Sequence, residues 1–426
     1  MNKKLFGYRQ VKFAGKTLLL FFILPLLLAG CGYRHRPEPE VYHPPEKHPV
    51  IIKHDTIRKK DTTIVVAYAV AADTPRIAQD TTRDSLTIAA VGDIMLGTSY
   101  PNRSTLPADS AKGSFKNVLN HLHGNDVLMG NLEGTLLDTG APAYYKLHQL
   151  SRAWLFRMPV SYGAVLKDAG FNVLSLANNH IGDFDNAGRL STMKTLDSLG
   201  INYGGQVSHP TAIFRINGVT IGFCAFAPNS YTLPISDLPT VTRVVHKLKS
   251  KCNVVIVSFH GGGEGVLYEH IPDSTEIFVR EKRGHVKAFA HAAVDAGADL
   301  VFGNGPHVCR AMELYKNRLI AYSLGNFYTF NGVSVAGDCG LAPILKVRVN
   351  KKGEFLRGEI ISARQTHYDG LKIDRMNGAA IRIKELTSQD FPQSGLDISD
   401  EGAITRIDNI ADQSAQSRQP VPTGLN

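Results

Sequence analysis

Residues 171–186 read FNVLSLANNHIGDFDN: seven mostly apolar residues, then three asparagines, a histidine and two aspartates. FNVLSLA is short and contains a β-branched residue, as a buried strand does, and the polar residues crowd directly behind it. Four other segments follow the same design. LTIAAVGD (86–93), DVLMGNLE (126–133), NVVIVSFHGGGE (253–264) and DLVFGNGPH (299–307) are apolar runs that finish in glycine and polar side chains. Helical patterns lie between them at roughly 114–123, 160–169, 187–199 and 284–296, and three of these stop at a glycine (AG, LG, AG). Strand–helix–strand alternation of this kind predicts an α/β fold whose parallel strands are buried on both faces. Hairpin signals are mixed in. IFRINGVTIGFCAF turns at Asn217-Gly218, MELYKNRLIAYSLGNF turns near Lys316-Asn317, and ILKVRVNKKGEFLRGEIISARQ reads as another antiparallel pair. Two sheets are therefore expected, with the folded region covering 86–370. The remainder, 371–426, reads as a polar tail, disordered from about residue 392.

The first thirty residues set the compartment. A basic stretch without acids, MNKKLFGYRQVKFAGK, precedes TLLLFFILPLLLAG. This order reads as a secretory signal over 1–30, since the apolar run is short of the roughly 20 residues a spanning helix needs. Leu28-Ala29-Gly30-Cys31 resembles a bacterial lipobox, which makes Cys31 the expected lipidation site and the cell envelope, facing periplasm or surface, the expected location. Residues 31–85 are rich in Pro, Thr and charge, as an extended tether would be; their scattered histidines read as solvated. Of the formal charge of +9, five positive side chains (Lys3, Lys4, Arg9, Lys12, Lys16) belong to the signal. The spread that remains gives no nucleic-acid footprint. Cys224, Cys252, Cys309 and Cys339 show no CxxC spacing; an oxidising compartment would permit disulfides among them.

Functional groups in open α/β folds collect beyond the carboxyl ends of parallel strands. The five runs deliver Asp93, then Asn131 and Glu133, then Asn178, Asn179, His180 and Asp183, then His260 and Glu264, then Asn304 and His307. Taken singly, each has a bland reading: Asp93 as a turn cap, His260 as a strand-end histidine, His307 as a turn former. Asp185 or Asn186 reads as the N-cap of the following helix. Carboxylates and imidazoles converging from five strand ends suit divalent Mn, Fe or Zn. Arg310 follows the last cluster, as either an anion holder or a surface salt bridge.

GDIMLG, NLEG, ANNHIGDF, FHGGGE, GNGPHV and YSLGNF, in this order over roughly residues 86–340, resemble the CapA family of poly-gamma-glutamate capsule synthesis proteins, a branch of the calcineurin-like metallophosphatase superfamily. The resemblance implies a metallophosphatase-like four-layer α/β/β/α sandwich of two mixed sheets. It also implies one or two divalent ions held by Asp93, Glu133, Asn179, His260 and His307, with Glu133 bridging. His180 becomes the general acid, oriented by Asp183, and Asn131, Asn178, Glu264, Asn304, Arg310 and Asn326 become weaker substrate-binding candidates. Three positions depart from the superfamily: Met95 where a ligating histidine is usual, Glu133 where an aspartate is usual, and Gly303-Asn304-Gly305-Pro306-His307 in place of a His-rich motif. Two functions stay open. One is an accessory role in capsule polymer synthesis or export, binding an anionic polymer within a membrane complex. The other is metal-dependent hydrolysis of envelope phosphoesters.

Overall fold

The computed structural model describes residues 84–148 and 154–407. The expected signal, Cys31 and the tether up to residue 83 lie outside the described residues.

The main elements, in chain order, are β1 (Ser85–Met95), β2 (Val127–Leu132), α1 (Tyr162–Asp168), β3 (Val173–Ser175), α2 (Asp185–Leu199), β4 (Asn202–Gly204), β5 (Thr211–Ile216), β6 (Val219–Ala227), α3 (Leu238–Lys249), β7 (Val254–His260), α4 (Val286–Asp295), β8 (Leu300–Asn304), β9 (Met312–Tyr315), β10 (Arg318–Ala321), β11 (Asn326–Thr329), β12 (Ile344–Asn350), β13 (Phe355–Ile361), α5 (Gly378–Asp390), β14 (Leu396–Ile398) and β15 (Ala403–Arg406). One mixed sheet has the order β14-β15-β13-β12-β1-β2-β3-β4, with β11 added parallel to the end of β1; the other has the order β9-β10-β8-β7-β6-β5.

Alternation decides the layers. Ile88, Ala90, Val127, Met129 and Val173 of the first sheet pack against Ile221, Phe223, Val254, Ile256, Leu300 and Phe302 of the second. The opposite faces, Ala89, Val91, Leu128 and Leu174 in one sheet and Val255, Val257 and Val301 in the other, are covered by α1 with α2 and by α3 with α4. This is the four-layer α/β/β/α sandwich of two mixed sheets. Residues buried on both faces explain why the strands read as unbroken apolar runs.

Several boundaries move. The 114–123 pattern forms helix only at Leu119–Leu122. Helix α2 begins at Asp185 itself, with no side-chain cap at Phe184, so neither Asp185 nor Asn186 is its N-cap; Gly200 ends it in the left-handed conformation, φ 63°. The polar tail reading fails over residues 378–406. Helix α5 buries Ala379, Ala380, Ile383 and Leu386, and β14 and β15 bury Leu396, Ile398 and Ile404, so this segment completes the first sheet. Its strands of three and four residues are too short for periodicity to stand out from the surrounding charges. Cys224, Cys252, Cys309 and Cys339 are all unpaired.

Candidate metal centre

The end of β1 is bent into position. Its register against β2 shifts between Ala90 and Asp93, and its register against β11 shifts between Asp93 and Ile94. A Cβ on Gly92 would fall 1.9 Å from the carbonyl oxygen of Gly325, so only glycine lets the two chains cross there. The Asp93 N–H donates to that same carbonyl (2.9 Å), which turns the Asp93 side chain towards the second sheet. There Gly305 N–H donates to Asp93 Oδ2 at 3.3 Å, and Asn131 Nδ2 donates to Asp93 Oδ1 at 2.8 Å. Asn131 in turn accepts from Asn178 Nδ2 (3.2 Å). Asn178 Oδ1 closes the ANNHIGD loop by accepting from the N–H groups of His180 (3.1 Å) and Ile181 (2.9 Å). Asn131 and Asn178 therefore organise the site from beneath.

Asp93, Glu133 and His260 each present a ligand atom within 4.8 Å of the others, and all three are fully buried. The fold thus brings three of the expected ligands, from three different strand ends, into one set. His260 Nε2 stands 3.5 Å from Glu133 Oε1, too far for a good hydrogen bond. Both oxygens of Glu133, both ring nitrogens of His260, and the amide oxygens of Asn179 and Asn304 are buried without a hydrogen-bond partner among the described residues. Glu133 and His260, side by side with their polar atoms unsatisfied, cost several kcal/mol unless a ligand engages them. Carboxylates, imidazole and amide oxygens are the donors that a Mn, Fe or Zn ion takes, so the residues fit the group. His307, held in the left-handed region (φ 59°), lies beside this set. Its Nδ1 is 3.0 Å from Asn326 Oδ1 and 3.1 Å from Asp93 Oδ2, and its Nε2 is 3.7 Å from Glu133 Oε1. Asn326 spends its amide on the carbonyls of His307, Ser334 and Cys339, so it braces His307.

Electrostatics reflect this crowding. Burial opposes ionisation of Glu133, yet His307, with His260 and His180, holds its carboxyl down to about 2. Burial likewise opposes the His307 cation, and Glu133 with Asp93 overrides it, lifting His307 to about 10. A bound cation would replace the proton on His307 as the compensating charge.

His180 Nδ1 meets Asp183 Oδ2 at 2.8 Å, and the ring stacks on Phe156 (centroids 4.1 Å apart). Asp183 Oδ2 also accepts from the Phe156 N–H (2.9 Å), and its Oδ1 pairs with Lys146 Nζ at 2.8 Å. His180 and His307 face a cavity of about 240 Å³ shared with Trp154, Phe156, Glu264 and Cys339. Glu264 is held by Arg283 Nη1 at 2.8 Å. Arg310 is neither exposed nor free: completely buried, it forms a two-pronged pair with Glu276, Nη1–Oε1 2.9 Å and Nη2–Oε2 2.7 Å. Lys146, Phe156, Glu276 and Arg283 are supporting residues that carry no local motif, and nothing in the sequence near them marks them.

A two-sheet α/β/β/α sandwich with a carboxylate–imidazole cluster at its strand ends is the class that fold and site define. Within it, residues 87–331 match the family described as bacterial capsule synthesis protein PGA_cap, and the chain belongs to that family. The capsule biosynthesis protein CapA of Bacillus anthracis is 30% identical over 277 residues, covering 61% of this chain and 63% of that protein, so the match spans less than two thirds of that relative. The PGA biosynthesis protein CapA of Bacillus subtilis (strain 168) is 28% identical over 306 residues, 68% of this chain and 74% of its own. Among solved structures, a 5′-nucleotidase precursor from Thermus thermophilus aligns with a TM-score of 0.38 at 13% identity, covering 72% of this chain and 58% of that one.

Proposed function

We propose that this protein serves the synthesis or export of an anionic capsule polymer of the poly-gamma-glutamate kind. In this reading it is anchored through a lipid on Cys31 at the cell envelope, beside a synthesis or export complex, and it binds polymer carboxylates at a strand-end cleft holding one or two divalent ions. The observation that carries the cleft is the orphaned set: Glu133 and His260, buried without hydrogen-bond partners among the described residues, beside Asp93. Asp93, Glu133 and His260 would hold the ion, with Asn179 and His307 next to them. Such an ion supplies positive charge to an anionic oxygen of the ligand. The family match and the names of the two Bacillus relatives support the capsule role.

A second reading, metal-dependent hydrolysis of phosphoesters, draws on one specific feature. His180, oriented by Asp183 and Phe156, offers its remaining ring nitrogen to the cavity it shares with His307 and Glu264. That is where a proton donor to a departing oxygen belongs. The resemblance of the motifs to calcineurin-like metallophosphatases points the same way.

Elemental analysis of metal per chain, alongside hydrolysis of an aryl phosphodiester with added Mn, tests both. Stoichiometric metal, lost in Glu133→Gln and kept in His180→Ala, with no turnover, is the expected result for polymer binding. Turnover abolished in both variants would establish the hydrolase. Absence of metal under every loading condition would end the cleft as drawn.

A further inference from the structure

A second cavity, about 530 Å³, opens on the other side of the ANNHIGD loop; Asn178 and Asn179 line it, together with Tyr145, Lys146, Tyr231 and Lys282. Its chemistry is unlike that of the His180 cavity. Lys146 reaches it while pairing with Asp183 (2.8 Å). Lys282 lines the same wall and makes no ion pair or hydrogen bond through its side chain among the described residues. Behind the Tyr231 ring, 3.7 Å from its centroid, lies the guanidinium of Arg189, whose Nη1 is buried without a partner. Against these cations stand Glu281 on the wall, Asp183 on Lys146 and Asp185 on Arg189 (3.5 Å). Of these three cations Lys282 alone has no ion-pair partner among the described residues, and it lines a cavity that also reaches Asn179, whose own amide oxygen has no hydrogen-bond partner there.

We propose that this cavity is an anion subsite that takes a second carboxylate of an acidic polymer whose first carboxylate is bound at the Asp93–Glu133–His260 centre, with Lys282 as its principal contact and Lys146 beside it. The inference rests on the polymer-binding reading above. It adds that the ligand is multivalent: two anionic groups on one flexible chain, one on each side of Asn179. A ligand with one anionic group fills one side only. Linking the two raises affinity through effective concentration without any new contact. Because Lys282 is exposed, its share weakens as salt rises.

The test is calorimetric binding to the full-length protein in Mn, using glutamate, a γ-linked glutamate trimer and inorganic phosphate as probes. The trimer is expected to bind at least about tenfold more tightly than glutamate, a gain of the size that tethering provides. Lys282→Gln is expected to lower trimer affinity about fivefold, the upper end for an exposed ion pair, and to leave glutamate and phosphate affinity and Mn content unchanged. Lys146→Gln would lower trimer affinity too, with bound Mn unchanged. An undiminished trimer gain in the Lys282→Gln, Lys146→Gln double variant would overturn the subsite, as would a trimer no tighter than glutamate in wild type. Trimer binding that ignores Mn and Glu133→Gln but is lost in the lysine variants would keep the subsite and refute the metal-centred reading beneath it.

Discussion

The buried Arg310–Glu276 pair separates architecture from ligand binding most sharply. Glu276→Gln preserves shape but leaves Arg310, fully enclosed, as a cation without its counter-charge. Breaking a buried pair from one side costs about 3–5 kcal/mol. For a domain of this size that is a fall in Tm of roughly 6–10 °C, at about 2 °C per kcal/mol. The same change loosens the FHGGGE turn, since Glu276 Oε2 accepts from the Gly263 N–H (2.9 Å) and Arg310 Nη2 donates to the Gly263 carbonyl (3.3 Å). His260 lies three residues upstream, so metal affinity is expected to weaken along with stability. Thermal and denaturant unfolding of the chelator-treated protein measures the first effect, and metal titration the second. Replacing both partners, Arg310→Met with Glu276→Leu, is expected to recover most of the lost stability, because neither variant side chain then carries a buried charge. The reasoning would be refuted by Arg310→Met that unfolds at the wild-type temperature while losing affinity for anions. That outcome would return Arg310 to the ligand-binding role its position after His307 suggests.

Chelator-treated protein should be most stable between about pH 4.5 and 6.5. The depressed Glu133 contributes above its ordinary 4.5 and is lost as pH falls through about 2, while the raised His307 contributes fully below 6.5 and is lost as pH rises through about 10. Urea titrations across pH 6.5–10 should show this decline, and His307→Gln should flatten it. Ile404→Ala, in the completely buried residue of β15, is expected to cost about 2–5 kcal/mol by urea unfolding; a silent substitution would return residues 392–407 to the tail. Gly92→Ala should yield little folded protein by circular dichroism, because its Cβ would meet backbone oxygen at 1.9 Å.

How much of this was legible in the sequence follows from the range over which each feature is encoded. The parallel strands were, because burial on both faces writes an unbroken apolar run and the strand–helix crossover leaves a glycine where the helix stops. The C-terminal segment was not. Its strands Leu396–Ile398 and Ala403–Arg406 are short pieces at one end of the sheet, with Leu396, Ile398 and Ile404 turned inward and Asp397, Thr405 and Arg406 exposed. Only the pairing of β15 with β13, some forty residues earlier, and of β14 with β15 shows that they are strands at all.

The candidate site divides along the same line. Polar residues that end a strand can be read locally, since the apolar run predicts where the strand stops and what it delivers. The partners that decide what each residue can do come from elsewhere in the chain. Asp183 reads as the support of His180 from its spacing of three, but Lys146, 37 residues earlier, has no motif to announce it. Arg310 looks free beside His307 because Glu276, 34 residues earlier, is invisible to any local pattern. An ionisable residue at a strand end is therefore readable as a candidate, whereas its availability depends on contacts only the fold supplies. Glu133 and His260 lack hydrogen-bond partners among the described residues and Arg310 has its own, and this distinction, more than residue type, separates the groups free to meet a ligand from one that holds the cleft in shape.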